Sequence, residues 1–312
     1  MRRVAGIIAM WIALIALPAW LPWIGGYTAL GSKVLIYAIA TMGLNLILGF
    51  TGGLSFGQAA YFGLGAYGAG MTLKYLASSP PLAVLIGTLV GGLAATLLGP
   101  LVMRRRGIYF AMITIAIGQL FYFIIVRWNE VTGGEDGLAG FSRQSIHLGR
   151  WTYPLTEINF YYLVLLCFTV AVAVMWTILQ SPLGHTWVAI RENRRRVEFL
   201  GVRAERYVWA AFAVAGTITA FAGALNALLF NFTSPQDLHW ILSGNFVIMI
   251  MLGGMRSFFG PLIGVIVFVV AQDYLSSITG NWMTFIGMIF VLIVLLFPKG
   301  ILGVFNRGMV TA

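Results

Sequence analysis

The apolar parts of this 312-residue chain offer chemistry almost only through neutral amides and hydroxyls: Asn45, Ser55, Gln58, Thr114, Gln119, Thr217, Thr219, Asn226 and Asn245. Such groups donate and accept hydrogen bonds but supply no acid, base or nucleophile at neutral pH. In a membrane they serve two purposes. They bond between helices, for roughly 0.6–2 kcal/mol each, or they line a weakly polar pathway. Asn45, Ser55, Gln58, Gln119 and Asn226 are the candidates for a pathway. The interval from Asn45 to Gln58 leads, because Gly49, Gly52, Gly53 and Gly57 surround it. Missing side chains there allow a broken helix or a re-entrant turn, tolerated only where backbone faces protein or water.

Catalytic patterns are missing. His147, His185 and His239 have no second ligand at i+3 or i+4, so no zinc-protease helix exists. There is no Gly-x-Ser-x-Gly elbow and no GxxxxGK[ST] phosphate loop. The lone Cys167 excludes an intrachain disulfide and a cysteine-cluster metal site. The chain reads as a non-enzyme with no cofactor or metal of its own. The poverty of mid-membrane charge also argues against proton or sodium coupling. Asp273, the best candidate, falls near a helix end and reads as an interfacial anchor.

One stretch is chemically different. Residues 181–206 carry Arg191, Arg194, Arg195, Arg196, Arg203 and Arg206 with Glu192, Glu198, Glu205 and Asn193. The spacing predicts a helix from Thr186 as N-cap to Leu200, with Gly201 at C′ and a Glu192–Arg196 ion pair. Trp187, Ala189, Ile190, Val197 and Leu200 share one side. Val188 and Phe199 interrupt the charged one. A basic helix on anionic lipid predicts a cleaner polar face and fewer Glu. The mixed face favours docking into a groove of a soluble partner.

The elements that position these residues follow from composition. The chain is 60% hydrophobic and 9% charged, against roughly 25% charged in a soluble domain. Its solvent is therefore a bilayer, and helices are the expected spanning element. Ten spans are predicted, near 5–24, 33–50, 54–77, 82–103, 108–127, 159–180, 207–231, 240–255, 258–276 and 282–297. The first reads as a retained helix, not a cleaved signal. Placing the basic segments inside puts both termini in the cytoplasm. It leaves only Lys33, Lys74, Arg127, Arg143 and Arg150 outside. The net charge of +10 is thereby explained without nucleic acid. The loop 128–158 is then periplasmic, and Ser234-Pro235-Gln236-Asp237 is a short outer turn. Trp20, Trp23, Trp128, Tyr161 and Tyr162 fit an aromatic belt. The whole chain, 1–312, reads as one transmembrane domain with no soluble domain of useful size. Leu48–Gly57 is faintly echoed by Leu252–Gly260, which suggests either a duplication or two similar tight turns.

The order of motifs carries a family resemblance. These are Leu44-Asn45-Leu46-Ile47-Leu48-Gly49-Phe50-Thr51-Gly52, Leu54-Ser55-Phe56-Gly57-Gln58, Arg106-Gly107-Ile108-Tyr109-Phe110, Thr132-Gly133-Gly134, Ser181-Pro182-Leu183-Gly184, Ala189-Ile190-Arg191-Glu192-Asn193, Leu252-Gly253-Gly254, Gly260-Pro261 and Phe297-Pro298-Lys299-Gly300-Ile301. The chain resembles the permease subunits of branched-chain amino acid ABC importers, most of all the LivM type. The resemblance implies an all-α polytopic fold of about ten helices, similar to the type II importer arrangement, in a bacterial inner membrane. It implies a second, related permease subunit, two cytoplasmic ATPases that bind ATP and Mg, and a periplasmic substrate-binding protein. The 181–201 helix then corresponds to the ATPase-coupling helix, with Ala189, Ile190, Arg191, Glu192, Asn193 and Gly201 as its contacts. There are departures. Gln58 stands where the family often has His, the Gly133-Gly134-Glu135-Asp136-Gly137 turn is shorter, and Arg194-Arg195-Arg196 is more basic. They leave open branched-chain or other hydrophobic amino acids, or urea and short amides, as cargo. A self-contained channel or secondary transporter, or a membrane scaffold, are the rival classes.

Overall fold

The computed structural model describes residues 10–21, 25–76, 79–143, 145–148, 151–297 and 300–302. Arg2, Arg3, Trp23, Arg150, Pro298, Lys299 and Arg307, which bear on orientation, belt and motifs, lie outside them. The long helices are α1 (Thr28–Asn45), α2 (Gln58–Tyr75), α3 (Pro80–Val102), α4 (Ile108–Arg127), α5 (Glu157–Gln180), α6 (Pro182–Phe199), α7 (Ala204–Phe230), α8 (Trp240–Gly253), α9 (Gly260–Ile278) and α10 (Trp282–Leu296). A further helical piece, Leu17–Trp20, precedes α1. Each predicted span contains helix, and the chain is an all-α polytopic membrane protein. Among the described residues, six helices are long and apolar enough to cross a bilayer alone: α3, α4, α5, α7, α9 and α1 with its extension to Thr51. The shorter α8 and α10 are apolar too. A two-stranded hairpin, β1 (Ile146–Leu148) and β2 (Trp151–Tyr153), lies within the 128–158 loop.

Helix α3 shows how these spans pack. Leu82, Leu85, Leu89, Leu93, Leu97 and Leu101 are exposed along one stripe. Ala83, Gly87, Gly91, Ala95 and Gly99, at intervals of four, are buried on the other. Large side chains face the bilayer and small ones the protein, because lipid supplies no hydrophobic drive and close backbone approach supplies the attraction instead. The partners are α2 and α7. A Cβ on Gly65 of α2 would collide with the Ala220 carbonyl of α7, and one on Gly216 of α7 with Ala95. Gly87 meets Gly65 and Ala224, while Ala95 meets Gly216, so α3 runs antiparallel to α2 and α7. Helix α1 completes the centre, buried from Val34 to Asn45 except at Tyr37.

One belt assignment changes. Tyr161 is fully buried, and its hydroxyl donates to the Leu14 carbonyl at 2.5 Å. It staples the first helical segment to α5 instead of lying in an interface. Trp128, by contrast, is 55% exposed. Tyr27 donates to Asp273 Oδ1 at 2.9 Å, consistent with Asp273 as an anchor near a helix end.

Candidate functional site

Helix α1 does not end cleanly. Its backbone widens to a π-helix over Leu46–Thr51 and stops at Gly52, whose φ of 78° is left-handed. π-Turns interrupt the usual ladder and recur at functional positions. Glycine is required at 52 twice over. The positive φ disfavours a Cβ, and one there would sit 3.1 Å from Arg191 Cγ. Residues 52–57 are then non-helical, and α2 begins at Gln58. The interval from Asn45 to Gln58 is therefore a broken helix pair, one of the two forms its glycines permit.

Polar side chains gather at this junction. The Thr114 hydroxyl of α4 accepts from Phe56 N at 3.1 Å, Ser55 from Gly57 N at 3.4 Å, and Ser243 of α8 from Ala59 N at 2.8 Å. The amides leading into α2, at Phe56 and Gly57, and its first-turn amide at Ala59 are thus met by hydroxyls from α4, the 52–57 connection and α8, as an unpaired helix start requires. Gln58 is fully buried there with neither amide atom bonded. Asn45 lies earlier, 1% exposed, donating to the Ser257 carbonyl at 3.2 Å. Ser55 and Gln58 are brought together; Asn45 faces the α8–α9 connection. Gln119 is half-buried on α4. Asn226 is buried on α7 with an unpaired Oδ1, six residues beyond the Ala220 contact and away from Gln58. Ser243 was not singled out from sequence. Nothing in its local pattern marks it, since its role comes from an α2–α8 contact.

The two echoing glycine turns meet. A Cβ on Gly49 would strike the Met255 carbonyl, and Asn45 bonds Ser257 in the same turn.

Against this end of the bundle lies α6. It starts at Pro182, one turn before the predicted Thr186 cap, and Thr186 Oγ1 instead donates back to Pro182 at 2.8 Å. It is also two helices. Asn193 is non-helical, with φ −156° and ψ 91°, and its Oδ1 accepts from Arg196 N at 3.0 Å. That is an N-cap for the second half. The break takes Glu192 and Arg196 out of helical register, and their ion pair is absent among the described residues. Arg194–Glu198 at 2.8 Å and Arg106–Glu198 at 3.1 Å form in its place. Hydrogen bonds from Arg194 hold the Glu198 carboxyl below its usual pKa. Gly201 has φ 83°, as its predicted C′ position requires.

The inner side of α6 is anchored. Trp187 is fully buried, its indole donating to the Tyr207 carbonyl at 2.8 Å, and Ile190 is 4% exposed. Half-buried Arg191 donates through Nη1 to the Gly49 carbonyl of the π-helix. Burial, with Arg256 nearby, lowers its pKa from the usual guanidinium range. A cation at the C-terminal end of a helix meets unpaired carbonyls and the negative end of the dipole. Ala189 is half-buried, whereas Glu192 and Asn193 are exposed. So are Phe199, at 90%, and Leu200, at 78%. The last two were assigned by sequence to opposite sides of one helix. The kink leaves both in solvent.

At the other end, Ser234-Pro235-Gln236-Asp237 is not a plain surface turn. Asn231 caps α7 in the left-handed region, and its Oδ1 accepts from Arg143 N at 2.7 Å. Thr233 pairs with Leu138 of the long loop. The turn Pro235–Leu238 then descends along α2, so that a Cβ on Gly63 would meet Leu238. Gly63 is five residues from the start of α2 and twelve from its end, so the segment is re-entrant. Helix α8 consequently starts within the bundle and needs only 14 residues. Among the described residues, no group of three metal-binding side chains occurs.

A broken helix pair, small-residue packing and a surface helix bonded to the break belong to a polytopic membrane protein. Residues 26–297 match the family model described as branched-chain amino acid transport system / permease component, and the chain belongs to that family. It is 28% identical over 297 residues to the high-affinity branched-chain amino acid transport permease LivM of Salmonella typhimurium, covering 89% of this chain and 70% of the relative. LivM of Escherichia coli is 29% identical with the same coverage. BraD of Pseudomonas aeruginosa is 22% identical over 286 residues, 86% of this chain and 91% of that one. No solved structure matches.

Proposed function

We propose that the chain is the transmembrane subunit of an ATP-driven importer for branched-chain or similar hydrophobic amino acids. The α6 end faces the cytoplasm, both termini lie there, and the 128–158 loop is periplasmic, as the arginine distribution favours. The partners are a related permease subunit, two ATPases that bind ATP and Mg, and a periplasmic binding protein. The observation that carries this reading is the Arg191–Gly49 bond. A surface helix exposed to solvent on one side is tied on the other to the irregular segment beside the buried polar junction. Ala189, Ile190, Arg191, Glu192, Asn193 and Gly201 divide by this geometry. Ile190 and Arg191 transmit inward, and Glu192 and Asn193, with Phe199 and Leu200, form the docking face. Differential ATPase contact with that face in two states supplies the free energy for alternating access. Asn45, Ser55, Gln58, Gln119 and Asn226 offer weak neutral contacts, with Ser55 and Gln58 at the junction. The test is uptake of labelled leucine by the transporter assembled with its co-encoded ATPases and binding protein. ATP-dependent uptake is expected; uptake without any ATPase would replace this reading with a secondary transporter. Urea or acetamide as the preferred cargo would revise the substrate alone.

A further inference from the structure

The re-entrant turn carries a carboxylate that the fold leaves without a counter-ion. Asp237 forms a capping box with Ser234, accepting from its backbone N–H at 3.3 Å. Among the described residues no Lys, Arg or His lies within ion-pair distance of it. The elements around the turn carry Lys33 on α1, Lys74 on α2 and Arg127 on α4, and none of the three pairs with it: Lys33 lies over the Tyr37 ring and Lys74 over the Tyr75 ring, and α4 ends at Arg127. Tyr37 of α1 and Tyr67 of α2 lie within Coulombic range of the carboxylate. Tyr122 of α4 faces His239, whose Nδ1 accepts from Ile241 N. The neighbouring turn Gly134–Asp136 bears only Glu135 and Asp136, both exposed. Two further oxygens nearby in the fold, the Tyr67 and Thr233 hydroxyls, are buried without partners. Asp237 itself keeps a solvent-accessible edge while protein surrounds it. An ionisable group without a partner at such depth is costly, and one that is kept there marks a functional site.

Given the importer reading, we propose that Asp237 is the station that receives the α-ammonium group of the amino acid as it enters from the periplasmic side. The carboxylate supplies the charge, and the Tyr67 and Thr233 oxygens are the further acceptors on the flanking elements. An ammonium group has three donors and no acceptor, which suits a site built of oxygens alone. The turn geometry does not need the charge, because in an Asp237→Asn variant the remaining side-chain oxygen could still accept from the Ser234 N–H.

The test measures labelled leucine uptake by the complete transporter with saturating binding protein, comparing wild type, Asp237→Asn and Asp237→Glu. Asp237→Asn should co-purify with its partner subunits as wild type does and lose about tenfold or more in uptake, the scale of a charge-assisted hydrogen bond. Asp237→Glu should retain most of it. Uptake by Asp237→Asn equal to wild type overturns the proposal while leaving the importer reading intact. So does a variant that fails to assemble, which would make Asp237 a folding residue. A wild-type complex that moves no amino acid overturns both.

Discussion

Arg191 of the surface helix donates to the backbone carbonyl of Gly49, in the π-helical end of α1. The bond joins the exposed face of α6 to the junction that buries Gln58. Removing the guanidinium leaves the carbonyl unpaired and breaks a charge-assisted bond worth about 1.5–3 kcal/mol. Arg191→Ala is therefore expected to keep ATPase association and lower the ratio of leucine moved to ATP hydrolysed about tenfold. Measuring both quantities on one reconstituted preparation decides it. An unchanged ratio severs the proposed link.

The kink in α6 rests on a single cap. Asn193→Ala should cost about 1 kcal/mol by removing it, and Asn193→Asp should cost little. Thermal unfolding in detergent reads the difference. Equal melting of Asn193→Ala and wild type would mean that the second half of α6 holds without the cap.

Phe199 and Leu200 make few contacts within the chain, so replacing both with Ser should change stability by within about 0.5 kcal/mol each. Their docking role predicts instead a weaker association with the ATPases, seen as lower co-purification at fixed expression. Retained association would move the docking face elsewhere.

The glycines of the α2–α3–α7 crossing differ from the others. Gly65→Ala forces a methyl into the Ala220 backbone and should cost about 1–3 kcal/mol. Gly244→Ala on α8 meets nothing within 4 Å and should be neutral or stabilising by up to about 1 kcal/mol. Melting temperatures of the two variants, measured side by side, test the packing.

Composition and apolar run length determined the solvent and the number of predicted spans, because transfer to lipid depends on local sequence alone. The Asn45–Gln58 break was legible for the same reason: its glycines mark it whatever packs nearby. Gly201 was legible as a helix end from its own backbone preference. Tertiary structure decided the rest. The Asn193 kink cancelled a helix-register ion pair and exposed Phe199 and Leu200. Ser243 became part of the junction because α8 starts beside α2. The turn that carries Asp237 moved from an expected surface position to a re-entrant one because Leu238 packs against Gly63. Each of these depends on contacts between residues far apart in the chain, which no local periodicity encodes.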